Sequence, residues 1–180
     1  MIDDLEIVGL TGLAGSGKDT AAHILVGEYG FVRVALADGV RGALRDLDGP
    51  GWDITKRGGL TVRRALQLMG TEYGRDNVNP DLWCEVLEAK LWFLREWARR
   101  SGESLRVVVP DVRLLDEADY LQRTARCTIV RLTRPGAGLM GETADHRSEL
   151  ESTRINANVL IKNDGSRSEL RDKVSKLFEL

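Results

Sequence analysis

The stretch that decides the fold is Gly9 to Thr20, GLTGLAGSGKDT. It follows a short apolar run, Glu6 to Leu10, and opens Lys18 to Tyr29, where Ala22, Ile24, Leu25 and Val26 recur as on a helix. The order is strand, loop, helix. Gly12 and Gly17 are separated by four residues and Lys18 follows at once, which is the spacing of a phosphate-binding P-loop. Successive backbone N–H groups of such a loop turn inward around a phosphate, and glycine is needed where a side chain would obstruct them. Lys18 adds a cation, and the following helix adds its positive N-terminus. The expected phosphate contacts are Gly12, Ala14, Gly15, Ser16, Gly17, Lys18, Asp19 and Thr20.

Asp19 departs from the common pattern, in which Ser or Thr follows the lysine and its hydroxyl holds Mg²⁺. A carboxylate beside a polyphosphate is repelled unless a cation lies between them. Two compatible readings follow: Asp19 faces Mg²⁺, directly or through water, or it complements the helix N-terminus. Thr20 offers a hydroxyl one residue later.

Composition narrows the function classes. The 180 residues carry 26 Lys plus Arg against 28 Asp plus Glu, a net charge of −2, so no general attraction to nucleic acid or to an anionic membrane is expected. An anionic partner must be caught by local arginines. The start, MIDDLEIVGL, fits a core strand better than a signal peptide or membrane span, so cytoplasmic residence is the expectation. Cys84 and Cys127 lie in apolar stretches without metal-ligand spacing and read as small buried hydrophobes.

Further along, Phe31 to Leu36 reads as a second strand and Asp38 to about Leu47 as a helix. Asp48 to Gly59 reads as a mobile loop, with Gly49, Pro50, Gly51, Gly58 and Gly59. Thr61 begins a helix that breaks near Gly70 or Gly74. Asp81 reads as the N-cap of a long helix with the core stripe Trp83, Leu87, Leu91, Leu94 and Ala98. Leu105 to Val109 suits a buried parallel strand ending at Pro110-Asp111. A helix from Leu114 to Ala125 and a strand from Cys127 to Leu132 come next. Arg134 to Ser152 reads as a flap with at most short helix, Val159 to Ile161 as the last strand and Ser166 to Phe178 as the last helix. Strands alternating with helices predict a parallel sheet covered on both faces, with ligands at the carboxyl ends of its strands.

Together the segments GSGKDTAAHIL, RRALQLMGTEYGRD, NPDLW, VVVPDVRLLDEAD, HRSELE and IKNDGSRSEL resemble the bacteriophage deoxynucleoside monophosphate kinases, a family of P-loop kinases. The match runs from the first strand to the last helix, and lysine followed by Asp-Thr is itself part of that family's loop. The resemblance implies a three-layer α/β P-loop kinase fold, with about five parallel strands and helices on both faces. It implies one domain over residues 1–180, with an acceptor-binding segment at 38–80 and a lid at 134–152. The implied activity is transfer of the γ-phosphoryl of ATP to a deoxynucleoside 5′-monophosphate, with Mg²⁺ as cofactor. Such chemistry needs in-line positioning and positive charge more than covalent participation by the protein.

The same resemblance gives roles to residues. Arg63, at the place of the family's helix-opening arginine, or its neighbour Arg64, is expected to fork the acceptor phosphate together with Arg75. Gln67 offers a donor and an acceptor to a base edge. Asp38 lies near the acceptor or caps the next helix, and Arg41 reaches the acceptor phosphate or stays on the surface. Asp111 matches a Walker B acid that holds Mg²⁺ or its waters, and Arg113 points to the transferred phosphoryl. Arg134 and then Arg147 are the lid arginines expected to close on the phosphates. His146 bonds a phosphate or caps within the loop, and Glu149 fixes the flap. Asn163 and Gly165 sit in a turn that in related kinases lies beside adenine. Trp83 has a core role and an alternative one, stacking with Tyr73 on the acceptor base.

Other readings remain open at this level. The acceptor is another phosphorylated small molecule, as in dephospho-coenzyme A kinase or phosphomevalonate kinase, or the chain is a regulator that binds ATP without transfer. The abundance of arginines around a second phosphate site speaks against a regulator. Trp92, Phe93 and Trp97 either form a homodimer face or line the core.

Overall fold

The computed structural model describes residues 5–48, 61–138 and 147–177, with the side chains at 47, 48 and 63 left out. The loop expected at Asp48 to Gly59 falls almost wholly outside these residues, as do His146 and the middle of the flap. The chain divides into two compact units, residues 1–34 with 93–180, and residues 35–92.

The first unit is built on five parallel strands: β1 Leu5–Thr11, β2 Val32–Arg33, β3 Leu105–Val109, β4 Thr128–Thr133 and β5 Val159–Lys162. Their order is β2-β3-β1-β4-β5. The central β1 is in register with β3 from Leu5↔Leu105 to Gly9↔Val109, and with β4 from Val8↔Thr128 to Thr11↔Arg131. A parallel strand flanked by others has no face for water, which is why LEIVGLT is almost wholly buried. The second strand is shorter than Phe31 to Leu36 suggests. It is an edge strand bonded to β3 alone, and the chain already turns helical at Leu36.

Side chains alternate across the sheet. Val8, Leu10, Val108, Val130, Leu132 and Ile161 share one core with Ala21, Ala22, Ile24 and Leu25 of α1 (Lys18–Tyr29) and with Leu170 and Val174. The last two belong to the closing helix Arg167–Ser175, which Ser166 caps by accepting the Glu169 N–H. Ile7, Val107, Val109 and Ile129 point the other way and are equally buried. The helix Leu115–Ala125, which packs on β1 and β4, turns its own buried Ala118 and Leu121 inward. Cys127 is buried as well, and loss of solvation pushes its thiol up to about 12.

In chain order the remaining helices are α2 Leu36–Asp48, α3 Val62–Gln67 and α4 Leu82–Ser101. The helix at Leu115–Ala125 is α5, Arg147–Ser152 is α6 and Arg167–Ser175 is α7. α4 carries the expected stripe, with Trp83, Leu87, Leu91 and Ala98 buried. Trp92, Phe93 and Trp97 are 62%, 65% and 46% exposed, so they do not line the core of this chain. No described helix is long and apolar enough to cross a membrane.

In the second unit α3 starts where expected, with the Thr61 hydroxyl accepting the Arg64 N–H. It does not break at Gly70 or Gly74; it widens into a π-helical segment, Leu68–Val78. The glycines act here through space rather than flexibility. The Trp83 indole lies so close that a Cβ on Gly74 would stand 2.8 Å from the ring, and the indole N–H donates to the Gly70 carbonyl at 2.8 Å. Gly74→Ala is therefore expected to destabilise the protein by about 1–3 kcal/mol through overpacking, read as a lower urea midpoint at unchanged slope.

Candidate active site

In the first unit β1 leads into α1 and the neighbouring β3 leads towards α5, so the glycine loop and the turn Asp111 to Arg113 follow the carboxyl ends of adjacent parallel strands. This is the place where ligands of such sheets bind.

Loop geometry is dictated by Gly12 and Gly17, with φ of 132° and 106°, values that L side chains rarely adopt. Space forbids side chains there too: a Cβ on Gly12 would run into the Leu132 carbonyl, and one on Gly17 into the Asn163 amide. β4 thus backs the loop from one side and Asn163, just past β5, from another. Asn163 is buried. Its Nδ2 donates to the Ser16 carbonyl at 2.9 Å, and its backbone N–H donates to Thr133 at 2.7 Å. Asn163, in the turn expected beside a base, thus also braces the phosphate loop from beneath. Gly165, also expected there, is exposed, with the Glu169 carboxylate against it.

Lys18 is only 8% exposed and its Nζ donates to the carbonyls of Gly12 (2.6 Å) and Leu13 (2.8 Å). Burial pushes its amine down to about 8. The nearby positive charge of Arg113 acts in the same direction, while Glu149, Asp19 and Asp111 oppose it. These charged groups therefore surround one cation. Asp19 is exposed and Thr20 half-buried at the start of α1; Asp111 is half-buried and Arg113 exposed past β3. The Glu117 carboxylate fixes that corner by accepting the N–H groups of Arg113 (2.7 Å) and Leu114 (3.0 Å).

The residues present fit a polyphosphate. The glycine turn carries a buried lysine, and the buried Ser16 hydroxyl has no hydrogen-bond partner among the described residues, while the Ser16 N–H donates to the Leu13 carbonyl at 3.1 Å. For Mg²⁺ the fit is with one or two carboxylates plus phosphate oxygens and water, not with a protein cage. No group of three or more His, Cys, Asp or Glu able to hold a metal occurs among the described residues.

Two flap arginines lie among the described residues. Arg134 is exposed at the end of β4. Arg147 is engaged at the base of α6, with its Nε 2.5 Å from Glu151 and its NH2 3.4 Å from Asp116. Gly138 N–H donates to the Ala14 carbonyl at 2.9 Å, and Ala14 N–H donates to the Glu149 carboxylate at 3.2 Å. The sequence marks Glu149 as a flap residue; its contact with the phosphate loop spans 135 positions and has no local signal.

The acceptor-side expectations all fall in the second unit. Asp38 is not a helix N-cap. α2 begins two residues earlier, and the Asp38 carboxylate reaches back to accept the Ala35 N–H at 2.9 Å while pairing with Arg41 at 3.5 Å. Gln67 is half-buried at the end of α3, and Arg64 is tied to Glu72 at 2.6 Å. The Arg63 backbone lies in α3, and its side chain is outside the description. Arg75 is 7% exposed in the π segment, with NH1 donating to the Pro80 carbonyl at 3.4 Å. Trp83 requires a correction. At 5% exposure, with its indole N–H bonded to Gly70, it has no ring face free to stack on a base.

The family model for deoxynucleotide monophosphate kinase matches residues 52–174. The chain belongs to this family. It is a phosphotransferase of the P-loop kinase fold, and kinases of this kind use a nucleotide such as ATP as donor. A relative from Acanthamoeba polyphaga mimivirus, itself provisionally described as a deoxynucleotide monophosphate kinase, is 29% identical over 174 residues, covering 87% of this chain and 88% of its own. Among solved structures, TT1252 from Thermus thermophilus superposes with a TM-score of 0.56 at 23% identity, covering 97% of both chains. Dephospho-CoA kinase from Campylobacter jejuni gives 0.53 at 15% identity, covering 98% of this chain and 96% of that one. These two show the shared fold.

Asn163→Asp removes the amide donor and sets a carboxylate oxygen against the Ser16 carbonyl. About tenfold weaker binding of ATP and GTP alike is expected, measured by titration calorimetry, since 1.4 kcal/mol of lost loop order corresponds to that factor. A change in the ATP-to-GTP ratio would instead mean that Asn163 reads the base.

Proposed function

We propose that the enzyme transfers the γ-phosphoryl of ATP to the 5′-monophosphate of a deoxynucleoside, giving ADP and the deoxynucleoside diphosphate. The observation that carries this reading is Lys18, buried within a glycine-walled loop and flanked by Asp111 and Arg113 at the end of the neighbouring strand. The choice of acceptor rests on the family match, which takes in the whole α3 and π-helical stretch.

In this reading Lys18 exchanges its two loop carbonyls for phosphate oxygens, and the amides of Ala14 to Lys18 line the phosphate chain once those of Ala14 and Ser16 leave Glu149 and the Leu13 carbonyl. Asp19 and Asp111 would hold Mg²⁺, which would supply neutralisation of phosphate charge. Arg113 places its guanidinium against the transferred group, where charge builds up as the phosphoryl leaves ADP. Arg134 and Arg147 complete that positive surround from the lid segment at 134–152, which also keeps water from the phosphoryl. For Arg147 this requires exchanging its bonds to Asp116 and Glu151 for the phosphates.

The acceptor-binding segment is 38–80. Arg75, with Arg63, holds the acceptor phosphate; its buried guanidinium leaves few rotamers to freeze on binding. Arg41, held by Asp38, adds charge at the start of α2, and Gln67 offers its amide to a base edge. Localisation in the cytoplasm, of the host where the chain is viral, belongs to the same reading.

The test is ADP formation from Mg-ATP with dTMP, dGMP, dCMP, dAMP, AMP, dephospho-CoA and phosphomevalonate as separate acceptors. Turnover is expected with one or more deoxynucleoside monophosphates. ADP production independent of any acceptor overturns the reading, and turnover confined to dephospho-CoA or phosphomevalonate reassigns the acceptor. Lys18→Ala and Arg113→Ala are each expected to lower kcat by about 10²- to 10³-fold or more. Near-normal turnover in either variant refutes the role given to that residue.

A further inference from the structure

The least expected contact in the molecule is a carboxylate in the phosphate loop. Glu149 is 6% exposed, and its Oε2 accepts the Ala14 N–H at 3.2 Å. Ala14 lies between Gly12 and Gly17, in the run of amides whose geometry suits an anion. Its carbonyl is taken as well, by the Gly138 N–H at 2.9 Å. Both polar groups of this residue are thus bound by the stretches that flank residues 139–146.

Glu149 is held there from α6. The Ser152 hydroxyl donates to the Glu149 carbonyl at 2.9 Å, and the Glu151 carboxylate accepts the Leu115 N–H at 2.9 Å, docking α6 on the start of α5. Arg147 bridges Glu151 and Asp116 on the same side. A buried carboxylate needs hydrogen-bond donors or a cation. In this protein it has the loop amide, with Lys18 close enough for each charge to act on the other.

We infer that Glu149 is a resident anion of the phosphate cradle, occupying its Ala14 end in the nucleotide-free enzyme so that an incoming polyphosphate must displace it. The inference rests on the phosphate-loop reading given above. Two anions cannot share one amide, and a carboxylate and a phosphate a few Å apart repel each other. A polyphosphate displaces Glu149 because it also gains the remaining amides, the Ser16 region and Lys18. A single small anion competing only at Ala14 gains nothing over the carboxylate already there. Glu149 therefore lowers affinity for all anions and favours long ones over short ones. Its departure breaks the hydrogen bond between α6 and the loop, while α6 stays docked on α5 through Glu151 and Leu115.

The test is titration calorimetry of sodium tripolyphosphate, and separately of sodium phosphate, into the wild type and Glu149→Gln, with thermal melts alongside. Glutamine keeps the length and an oxygen acceptor for Ala14 but carries no charge. The expected result is about tenfold or more tighter tripolyphosphate binding in E149Q, with measurable phosphate binding gained only by the variant. Unchanged or weaker tripolyphosphate binding in E149Q, with the wild type still binding, overturns the proposal and leaves the phosphate-loop reading standing. Failure of both folded proteins to bind tripolyphosphate and ATP overturns both. Should E149Q lose its cooperative melt, Glu149→Ala carries the same test, since it removes the charge together with the contact to Ala14. A tighter dissociation constant supports the proposal, and an unchanged one overturns it.

Discussion

The curled amides of residues 12–17 are the constraint on which the rest of the first unit depends. Such a loop points several N–H dipoles at one place, an arrangement stable only if its outer side is braced and its inner side finds negative charge. Every neighbouring element contributes to one of these two conditions. β4 blocks the space behind Gly12, Asn163 ties Ser16 from behind, and Gly17 is the N-cap from which α1 begins. On the inner side stand Lys18 and the carboxylate of Glu149.

The sheet explains why these groups converge. With β1 central and β3 and β4 on either side, the loops after three strands reach the same edge. Asp111 and Arg113 come from the second of them, and Arg134 from the third. The 5-stranded parallel order therefore does for charge what it does for packing: it gathers residues distant in the chain at one edge without a long connection.

Much of this was legible beforehand because it is local. The spacing from Gly12 to Lys18, the bare apolar run at Leu105 to Val109 and the stripe on α4 are set by neighbours in sequence. What stayed hidden depends on distant partners. Asn163 reads as a turn residue until Ser16 is found above it, and Glu149 reads as a residue that fixes the flap until Ala14 is found beside it. Trp83 combined a core position with an aromatic ring, and only the closeness of Gly74 and Gly70 decides for the core. The passage of α3 into a π segment has the same origin, since two glycines that suggest a break also allow a bulky ring to come near.

That π segment sets a phase as well as a path. In it a backbone N–H reaches back five residues instead of four, as Asn79 does to Gly74. The bearing of Arg75 relative to Gln67 is therefore not what the eight positions between them would give on an ordinary helix. Losing residues from Leu68–Val78 would change that winding and swing the guanidinium to another side, so the length of this interval sets the bearing of Arg75 along with its residues.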